Sequence, residues 1–204
     1  MTSRRGRPRQ FDRDDALRTA VMLFWERGYE ATSINDLSAA MGIGVPSLYA
    51  AFGSKRELFD EVVAEYTRRY RAFMETAIAE EPTLTAGVRR LLNEAAAACT
   101  RPGRPRGCLV VSAATNTTSP EVEQGLRKLR TDGVDALEAL IRRAVADGEL
   151  PAGTDARGLS HYVSATLQGI AQQARDGADR PTLETIAALA MHAWPTPSVA
   201  VATH

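Results

Sequence analysis

Apolar residues recur at three- and four-residue spacings through most of the chain, the period of a helix with one buried face. Near the start, a helix over about residues 12 to 27 carries such a stripe, formed by Leu17, Ala20, Val21 and Phe24. The same period continues beyond residue 58, where the sequence shows no strand-like alternation. The pattern therefore predicts an all-α protein of about nine helices.

Proline, glycine and polar segments divide the later part of the chain into separate helices. The expected helices span about residues 54 to 80, 83 to 100, 107 to 116, 120 to 147, 155 to 176 and 182 to 194. The helix from 120 begins with Ser119 as a cap and Pro120 in its first turn. At about 42 Å it is long enough to scaffold a second unit.

Two short helical patterns separated by a glycine turn lie between residues 33 and 52. Ser33 and Asp36 are spaced as a capping box at the start of the first helix. Gly42 ends that helix, and Pro46 is suited to the first turn of the next one. Two helices joined by so short a turn predict a DNA-binding helix-turn-helix.

A third helix start follows at Ser54, where the first turn contains Lys55 and Arg56. Cations in a first helical turn oppose the positive end of the helix dipole, at a cost of about 0.3 to 1 kcal/mol each. A phosphate partner reverses that cost, since the lysine and the free amides of a helix start both bind anions.

The segment resembles the DNA-binding domain of the TetR (tetracycline-repressor) family of bacterial transcriptional regulators. The resemblance covers about the first quarter of the chain and rests on Gly28-Tyr29, Thr32-Ser33, Asp36-Leu37, Ala40, Gly42, Leu48-Tyr49, Phe52, Ser54-Lys55 and Leu58. It implies phosphate contacts from Thr32, Tyr49 and Lys55. It also implies that Gly44, Val45, Pro46 and Ser47 face base edges.

Val45 departs from the family pattern, in which that position is often a hydroxyl or basic residue. Valine cannot donate a hydrogen bond, so its readout is limited to apolar contact with a thymine methyl group. The recognition helix is therefore poor in hydrogen-bonding side chains, and the sequence does not specify the operator.

An arginine-rich arm precedes the first helix, with Arg-Arg-Gly-Arg-Pro-Arg at residues 4 to 9. The chain has a formal net charge of zero, but residues 1 to 56 contain nine Lys/Arg against six Asp/Glu. An extended arginine arm can occupy a narrow minor groove, and a solvated tail is the alternative. The residues predicted to contact DNA are Arg4, Arg5, Arg7, Thr32, Ser33, Gly44, Val45, Pro46, Ser47, Tyr49 and Lys55.

The last two helices carry more apolar surface than one core needs, which suggests self-association. Residues 186 to 191 are apolar almost all round, and small residues in the preceding helix permit close approach. A two-fold four-helix interface would bury this surplus, and the family resemblance implies the same arrangement. The predicted interface consists of Tyr162, Ala165, Thr166, Gly169, Ile170, Ile186, Leu189, Ala190 and Trp194. The alternative is that both faces serve a core within the chain.

The resemblance also implies that the larger unit encloses a small-molecule effector of unspecified chemistry. Candidate ligand-binding residues are Phe73, Leu92, Asn93, Val110, Val111, Ser112, Asn116, Leu137, Tyr162 and Gln168. We expect a disordered basic arm (1–10), a helix-turn-helix domain (11–56), a regulatory ligand-binding and dimerisation domain (57–196) and a flexible tail (197–204).

Other classes of function receive little support from the sequence. There is no phosphate-binding glycine loop, nucleophile elbow or metal motif, so we predict neither an enzyme nor a cofactor or metal site. The alternative is a helical module whose DNA role is lost or activating, and which binds a small molecule or senses thiols or metals. Cys99 and Cys108 would serve the sensing version, although reduced structural thiols are commoner in the cytosol. Without an apolar span of about 20 residues or a signal segment, we expect a cytoplasmic protein. The predicted function is a homodimeric repressor that binds a palindromic operator and is released by a small molecule.

Overall fold

The structure is a computed structural model that describes residues 12–113 and 117–196. Within these ranges it contains ten helices and no strand: α1 (Arg13–Arg27), α2 (Ile34–Met41), α3 (Val45–Phe52), α4 (Lys55–Tyr70), α5 (Phe73–Ala79), α6 (Leu84–Cys99), α7 (Leu109–Ser112), α8 (Pro120–Ala146), α9 (Ala156–Arg175) and α10 (Arg180–His192). The predicted all-α fold is confirmed. Within the same ranges, no helix is long and apolar enough to cross a membrane.

Helices α1, α2 and α3 form an N-terminal bundle around a core that includes Phe24, Leu37 and Leu48. Each helix begins and ends where the sequence signals predict. Asp12 caps α1 by accepting from the amides of Asp14 and Asp15. Gly42 ends α2 in the left-handed conformation, with a φ of 67° that suits glycine.

The core of the N-terminal bundle continues into the rest of the chain. Phe59 on α4, Leu109 on α7 and Leu126 on α8 belong to the same buried cluster as Phe24. A separate cluster, formed by α5, α6, α8, α9 and α10, has Ile141 and Ile170 at its centre. A functional boundary near residue 56 stays a prediction, since buried contacts cross that position.

The helix expected over residues 54 to 80 is two helices in the structure. Helix α4 ends at Tyr70 and α5 begins at Phe73. The two pieces pack in different cores, because Tyr66 belongs to the N-terminal cluster and Ala77 to the C-terminal one. The change of partner explains a break that no proline or glycine marks.

The helix expected over 107 to 116 is a single turn, Leu109–Ser112, within the described residues. Gly107 precedes it at a φ of 82°, and a Cβ there would lie 2.8 Å from the carbonyl oxygen of Ala171. A glycine is therefore required for α7 to approach α9 so closely.

Candidate nucleic-acid interface and regulatory cavity

The start of α2 is held by a reciprocal capping box. The amide of Asp36 donates to the Ser33 hydroxyl over 3.1 Å, and the Asp36 carboxylate accepts from the amide of Ser33 over 2.9 Å. The Ser33 hydroxyl also donates to the Asp36 carboxylate over 2.5 Å. The hydrogen bonds that the carboxylate accepts from the hydroxyl and the amide of Ser33 lower the pKa of Asp36. Ser33 is exposed, as its predicted DNA role requires, and its own hydroxyl is committed to the cap.

Helix α3 presents the predicted base-reading residues on its outer side. Leu48 and Phe52 are buried against the N-terminal core, whereas Gly44, Pro46 and Ser47 are exposed and Val45 is half-buried. No side chain caps the start of α3. The surface is thus open to a ligand, and its contacts with DNA stay a prediction.

Two further contact candidates lie on α3 and at the start of α4. Tyr49 is 49% exposed on α3. At the start of α4, the Lys55 ammonium lies 4.2 Å from the centre of the Tyr29 ring, in a cation–π contact. Partial burial lowers the pKa of Lys55, and the nearby Glu30 carboxylate opposes that shift. Tyr29 therefore fixes the amine beside α3.

Thr32 does not have the predicted surface position. Its side chain is completely buried, and its hydroxyl donates to the carbonyl oxygen of Gly28 over 2.7 Å. That bond closes the loop between α1 and α2, so the side chain braces the loop from within. The prediction of a phosphate contact from this side chain is corrected accordingly.

Arg13 is a positioning residue that sequence reasoning missed. Its guanidinium forms an ion pair with Glu61 at 2.6 Å, donates to the carbonyl oxygen of Ala51 over 3.3 Å and lies 4.5 Å from the centre of the Phe52 ring. It thereby ties the end of α3 to α1 and α4. An arginine in the first turn of α1, where a cation is disfavoured, was the available signal.

Arg4, Arg5 and Arg7 lie outside the described residues, yet the sequence shows how much of the basic charge they supply. Residues 12 to 56 contain five basic side chains and six acidic ones. The excess of nine Lys/Arg over six Asp/Glu in residues 1 to 56 therefore comes entirely from the four arginines of residues 4 to 9.

A cavity of about 620 Å³ lies between the N-terminal bundle and the C-terminal helices. Of the predicted ligand-binding residues, five line it: Phe73, Val110, Val111, Leu137 and Gln168. Its walls are largely apolar and come from α1, α4, α5, α6, α7, α8 and α9. Such a cavity is of the size and polarity that small-molecule sites have.

Four other ligand-binding candidates do not line this cavity. Leu92 is buried in the C-terminal core, and Asn93 points to solvent on the next position of α6, donating to the carbonyl oxygen of Arg89. Tyr162 lies on the outer face of α9, and Ser112 lines a smaller cavity of about 310 Å³. Asn116 lies outside the described residues. The helical phase of Leu92, Asn93 and Tyr162, rather than their chemistry, keeps these three side chains out of the cavity.

Several cavity residues were assigned by sequence reasoning to no site. Trp25 on α1 and Tyr66, Thr67 and Tyr70 on α4 all line the cavity. The rings of Trp25 and Tyr66 meet edge to face at 4.8 Å. These residues have the three- and four-residue spacing of an ordinary hydrophobic core. No local sequence pattern distinguishes a residue packed in the core from one that lines a cavity.

Both cysteines are free thiols that line the cavity. Burial, with a smaller effect of Cys108, raises the pKa of Cys99 to about 12, so Cys99 is a neutral thiol near pH 7. Within residues 12–113 and 117–196, no three His, Cys, Asp or Glu side chains are grouped as metal ligands. The thiol- or metal-sensing alternative stays untested.

The outer face of α9 and α10 exposes part of the predicted dimer surface. Leu189 is 58% exposed and Tyr162 38% exposed, and the Tyr162 hydroxyl donates to the carbonyl oxygen of Ala190 over 3.2 Å. Ala165 and Gly169 are also exposed, while Thr166 and Ile186 are half-buried. Such exposed small and apolar side chains on two neighbouring helices are of the kind that two-fold helical interfaces use.

Three predicted interface residues belong instead to the core of the chain itself. Ile170, Ala190 and Trp194 are buried without any partner subunit. The indole of Trp194 donates to the Thr85 hydroxyl over 3.0 Å, which anchors the end of the chain's last helix to α6. The apolar residues of α10 thus lie on two faces, one packed in the core of the chain and one exposed at the proposed dimer surface.

The loop between α1 and α2 is joined to the segment before α8 through Glu30. Its carboxylate accepts from the amide of Thr118 over 2.7 Å and from the hydroxyls of Thr117 and Thr118 over 3.0 Å. Arg175 on α9 adds a second link, donating to the carbonyl oxygen of Glu26 over 2.8 Å. The N-terminal bundle is therefore linked to the regulatory helices by polar contacts as well as by its core.

We expect Glu30→Gln to lower the melting temperature by about 1–3 °C at pH 7. Hydrogen bonds from Thr118, the backbone amide first, lower the pKa of Glu30 below its ordinary 4.5, so folding stabilises the ionised form. This contribution is present above that ordinary value and is lost as pH falls through the lowered pKa. Thermal melts between pH 7 and 4 should show a constant difference that narrows only at the acid end. Glu26→Gln, exposed at the end of α1, is the matched control, and an equal effect there would contradict the assignment.

Known protein families match the N-terminal and the C-terminal helices of the chain separately. The family model described as bacterial regulatory proteins, tetR family, matches residues 16–62, and one described as tetracyclin repressor-like, C-terminal domain, matches residues 85–189. The chain is 34% identical to the HTH-type transcriptional repressor ComR of Escherichia coli over 195 residues, 94% of this chain and 92% of ComR. It is 29% identical to the repressor BdcR of the same organism, over 94% of this chain and 93% of BdcR.

Solved structures give the same picture. A cysteine variant of the regulator CifR, in complex with a 26-base-pair operator, is 42% identical with a TM-score of 0.87, over 93% of this chain and all of that one. A regulator from Rhodococcus sp. RHA1 is 40% identical with a TM-score of 0.63, over 89% of this chain and 98% of that one.

Proposed function

The chain belongs to the TetR family of bacterial transcriptional regulators, and we propose that it acts as a homodimer on a palindromic operator from which a small-molecule effector releases it. It is a DNA-binding repressor and not an enzyme. The open recognition surface of α3, beside the fixed Lys55 ammonium, is the observation that carries the proposal.

The DNA contact proposed for each protomer follows from the position of α3. Its exposed residues Pro46 and Ser47 are small enough to approach base edges in a major groove. Tyr49 on α3 and Lys55 at the start of α4 can contact the phosphate backbone beside the groove. Base contacts then select the sequence, and the flanking groups fix the register.

Dimerisation through α9 and α10 places two copies of α3 for successive half-sites. Leu189 and Tyr162 are the large exposed apolar side chains on this face. A two-fold axis there would relate the two recognition helices and explain a preference for a palindrome. An effector in the cavity would act on both bundles, because the cavity walls include α1 and α4 of each protomer.

The proposal can be tested with operators selected from a random-sequence duplex pool. We expect enrichment of a palindrome whose half-sites are about one helical turn apart. On that duplex, Tyr49→Ala and Lys55→Ala should each weaken binding about tenfold. Lys55→Ala should also lower the slope of log affinity against log salt by the amount expected for about one phosphate contact per protomer.

The chain offers a matched control for the lysine, since Lys128 on α8 is its other lysine and is exposed. Lys128→Ala should leave both affinity and salt dependence unchanged. Recovery of no common sequence from the pool would overturn the proposed operator recognition. Unchanged affinity in both Tyr49→Ala and Lys55→Ala would overturn the assigned contacts alone.

A further inference from the structure

Two residues that line the cavity each have a buried polar atom with no hydrogen-bond partner among the described residues. These atoms are the indole Nε1 of Trp25, a residue that is only 2% exposed, and the hydroxyl Oγ1 of Thr67. Both residues line the 620 Å³ cavity. An unsatisfied buried polar group costs about 1–3 kcal/mol, so a native structure that contains two in one cavity implies a missing partner.

The chemistry of the two atoms limits what that partner can be. An indole N–H only donates, and a threonine hydroxyl donates or accepts. One oxygen with two lone pairs can accept from both. The second tryptophan shows the contrast, because the Trp194 indole already donates to Thr85.

The surroundings of the two atoms define the rest of the ligand. The rings of Tyr66 and Tyr70 meet Trp25 edge to face at 4.8 and 5.4 Å, and the neighbouring walls are aliphatic. These surfaces favour an apolar body.

The charges on the cavity wall argue against a cationic ligand. Three arginines, Arg71, Arg104 and Arg130, line the cavity, and none forms an ion pair with a carboxylate among the described residues. Two carboxylates, Glu75 and Asp132, line it as well, and Asp132 is already paired with Lys128. Basic side chains therefore outnumber acidic ones on this wall. Arg104 already covers the Tyr70 ring at 4.6 Å, which leaves no open aromatic face there for a cation. The arginines instead favour an electron-rich oxygen.

We propose that the effector is an apolar molecule with one hydrogen-bond-accepting oxygen, a ketone or a carboxylate, seated between Trp25 Nε1 and Thr67 Oγ1. This rests on the proposed function and names the chemistry of its ligand. Trp25 belongs to α1 and Thr67 to α4, so the oxygen joins the N-terminal bundle directly to the helix that follows it. The ligand thereby contacts the DNA-binding unit itself.

The test uses Trp25 as its own reporter. In a Trp194→Phe background, Trp25 is the sole tryptophan, since the chain has two. Titration with 2-octanone or with sodium octanoate should change the fluorescence emission of Trp25. A change with 2-octanone alone identifies the accepting oxygen as a neutral ketone, and a change with octanoate alone identifies it as a charged carboxylate. No change with either probe would overturn the proposal.

Variants at Thr67 locate the oxygen. In the same background, Thr67→Val should weaken probe binding about five- to tenfold through loss of one buried hydrogen bond, and Thr67→Ser should restore it. Thr76→Val on α5 is the matched control, because the Thr76 hydroxyl donates to backbone carbonyls of its own helix. Equal probe affinity in Thr67→Val and in Thr76→Val would overturn the placement.

Operator binding by the same preparations reports on the proposed function separately. A protein that binds 2-octanone at Trp25 and selects no operator refutes the regulatory proposal and leaves the ligand chemistry standing. A protein that binds its operator tightly and shows none of the emission changes refutes the ligand chemistry alone.

Discussion

Replacing Leu189 by aspartate is expected to weaken operator binding by about a hundredfold or more, the larger of the two effects we predict from single surfaces. Leu189 is 58% exposed on α10, at the centre of the proposed dimer face. In a dimer the carboxylate of the introduced aspartate would be buried without a partner, which costs several kcal/mol. Two-fold symmetry places one such carboxylate from each subunit in the interface, so the cost arises twice. Sedimentation should then show a monomer at micromolar concentration, and a monomer reads one half-site only.

Leu140→Asp is the matched control for this change. Leu140 is 39% exposed on α8 and is not one of the residues of the proposed face. It lines the cavity, so the control is read without effector, and the dimer and operator binding should both remain intact. A Leu189→Asp protein that remains dimeric would show that another surface joins the subunits. A monomeric one that still binds the palindrome tightly would refute the need for a dimer.

The second large effect concerns the arginine arm. Changing Arg4, Arg5, Arg7 and Arg9 to glutamine should weaken operator binding by about a hundredfold at 0.15 M salt, because the folded bundle has no basic excess of its own. The slope of log affinity against log salt should fall by up to about 0.9 for each phosphate-bound arginine lost. Titrations at several salt concentrations measure both quantities.

A charge-matched control separates local contacts from net charge. Arg101, Arg127, Arg142 and Arg143 are exposed in the regulatory part, and their replacement by glutamine removes the same four charges. We expect little change in affinity or salt slope. If both quadruple variants lose affinity equally, the arm acts only through the overall field and has no groove contact.

The N-terminal bundle could be predicted closely from the sequence because its signals are local. Ser33 and Asp36 form the expected capping box, and Gly42 has the expected left-handed backbone. Spacings of three or four residues are enough to specify such features. Thr32 shows the limit, since its burial depends on a loop that closes against Gly28.

The cavity was harder to predict because its walls come from distant segments. Trp25 and Gln168 are far apart in sequence and line one space. The hydrophobic periodicity indicates which face of a helix is buried. It does not indicate whether that face packs against other side chains or borders a cavity. Asn93 was chosen for its polarity on an apolar helix, and the phase of α6 turns it to solvent.

The continuous core that joins Phe24, Phe59, Leu109 and Leu126 has a consequence for engineering hybrid repressors. A graft that exchanges only residues up to the end of α3 would separate Phe24 from the partners on α4, α7 and α8 that it was packed against. The new joint would combine two half-cores of unrelated shape, and mismatched core packing costs about 1–3 kcal/mol or more. A transplant that keeps α1 to α4 together with the α7 turn and the first turns of α8 would carry its own interior, so specificity for DNA is exchangeable here only with that larger piece.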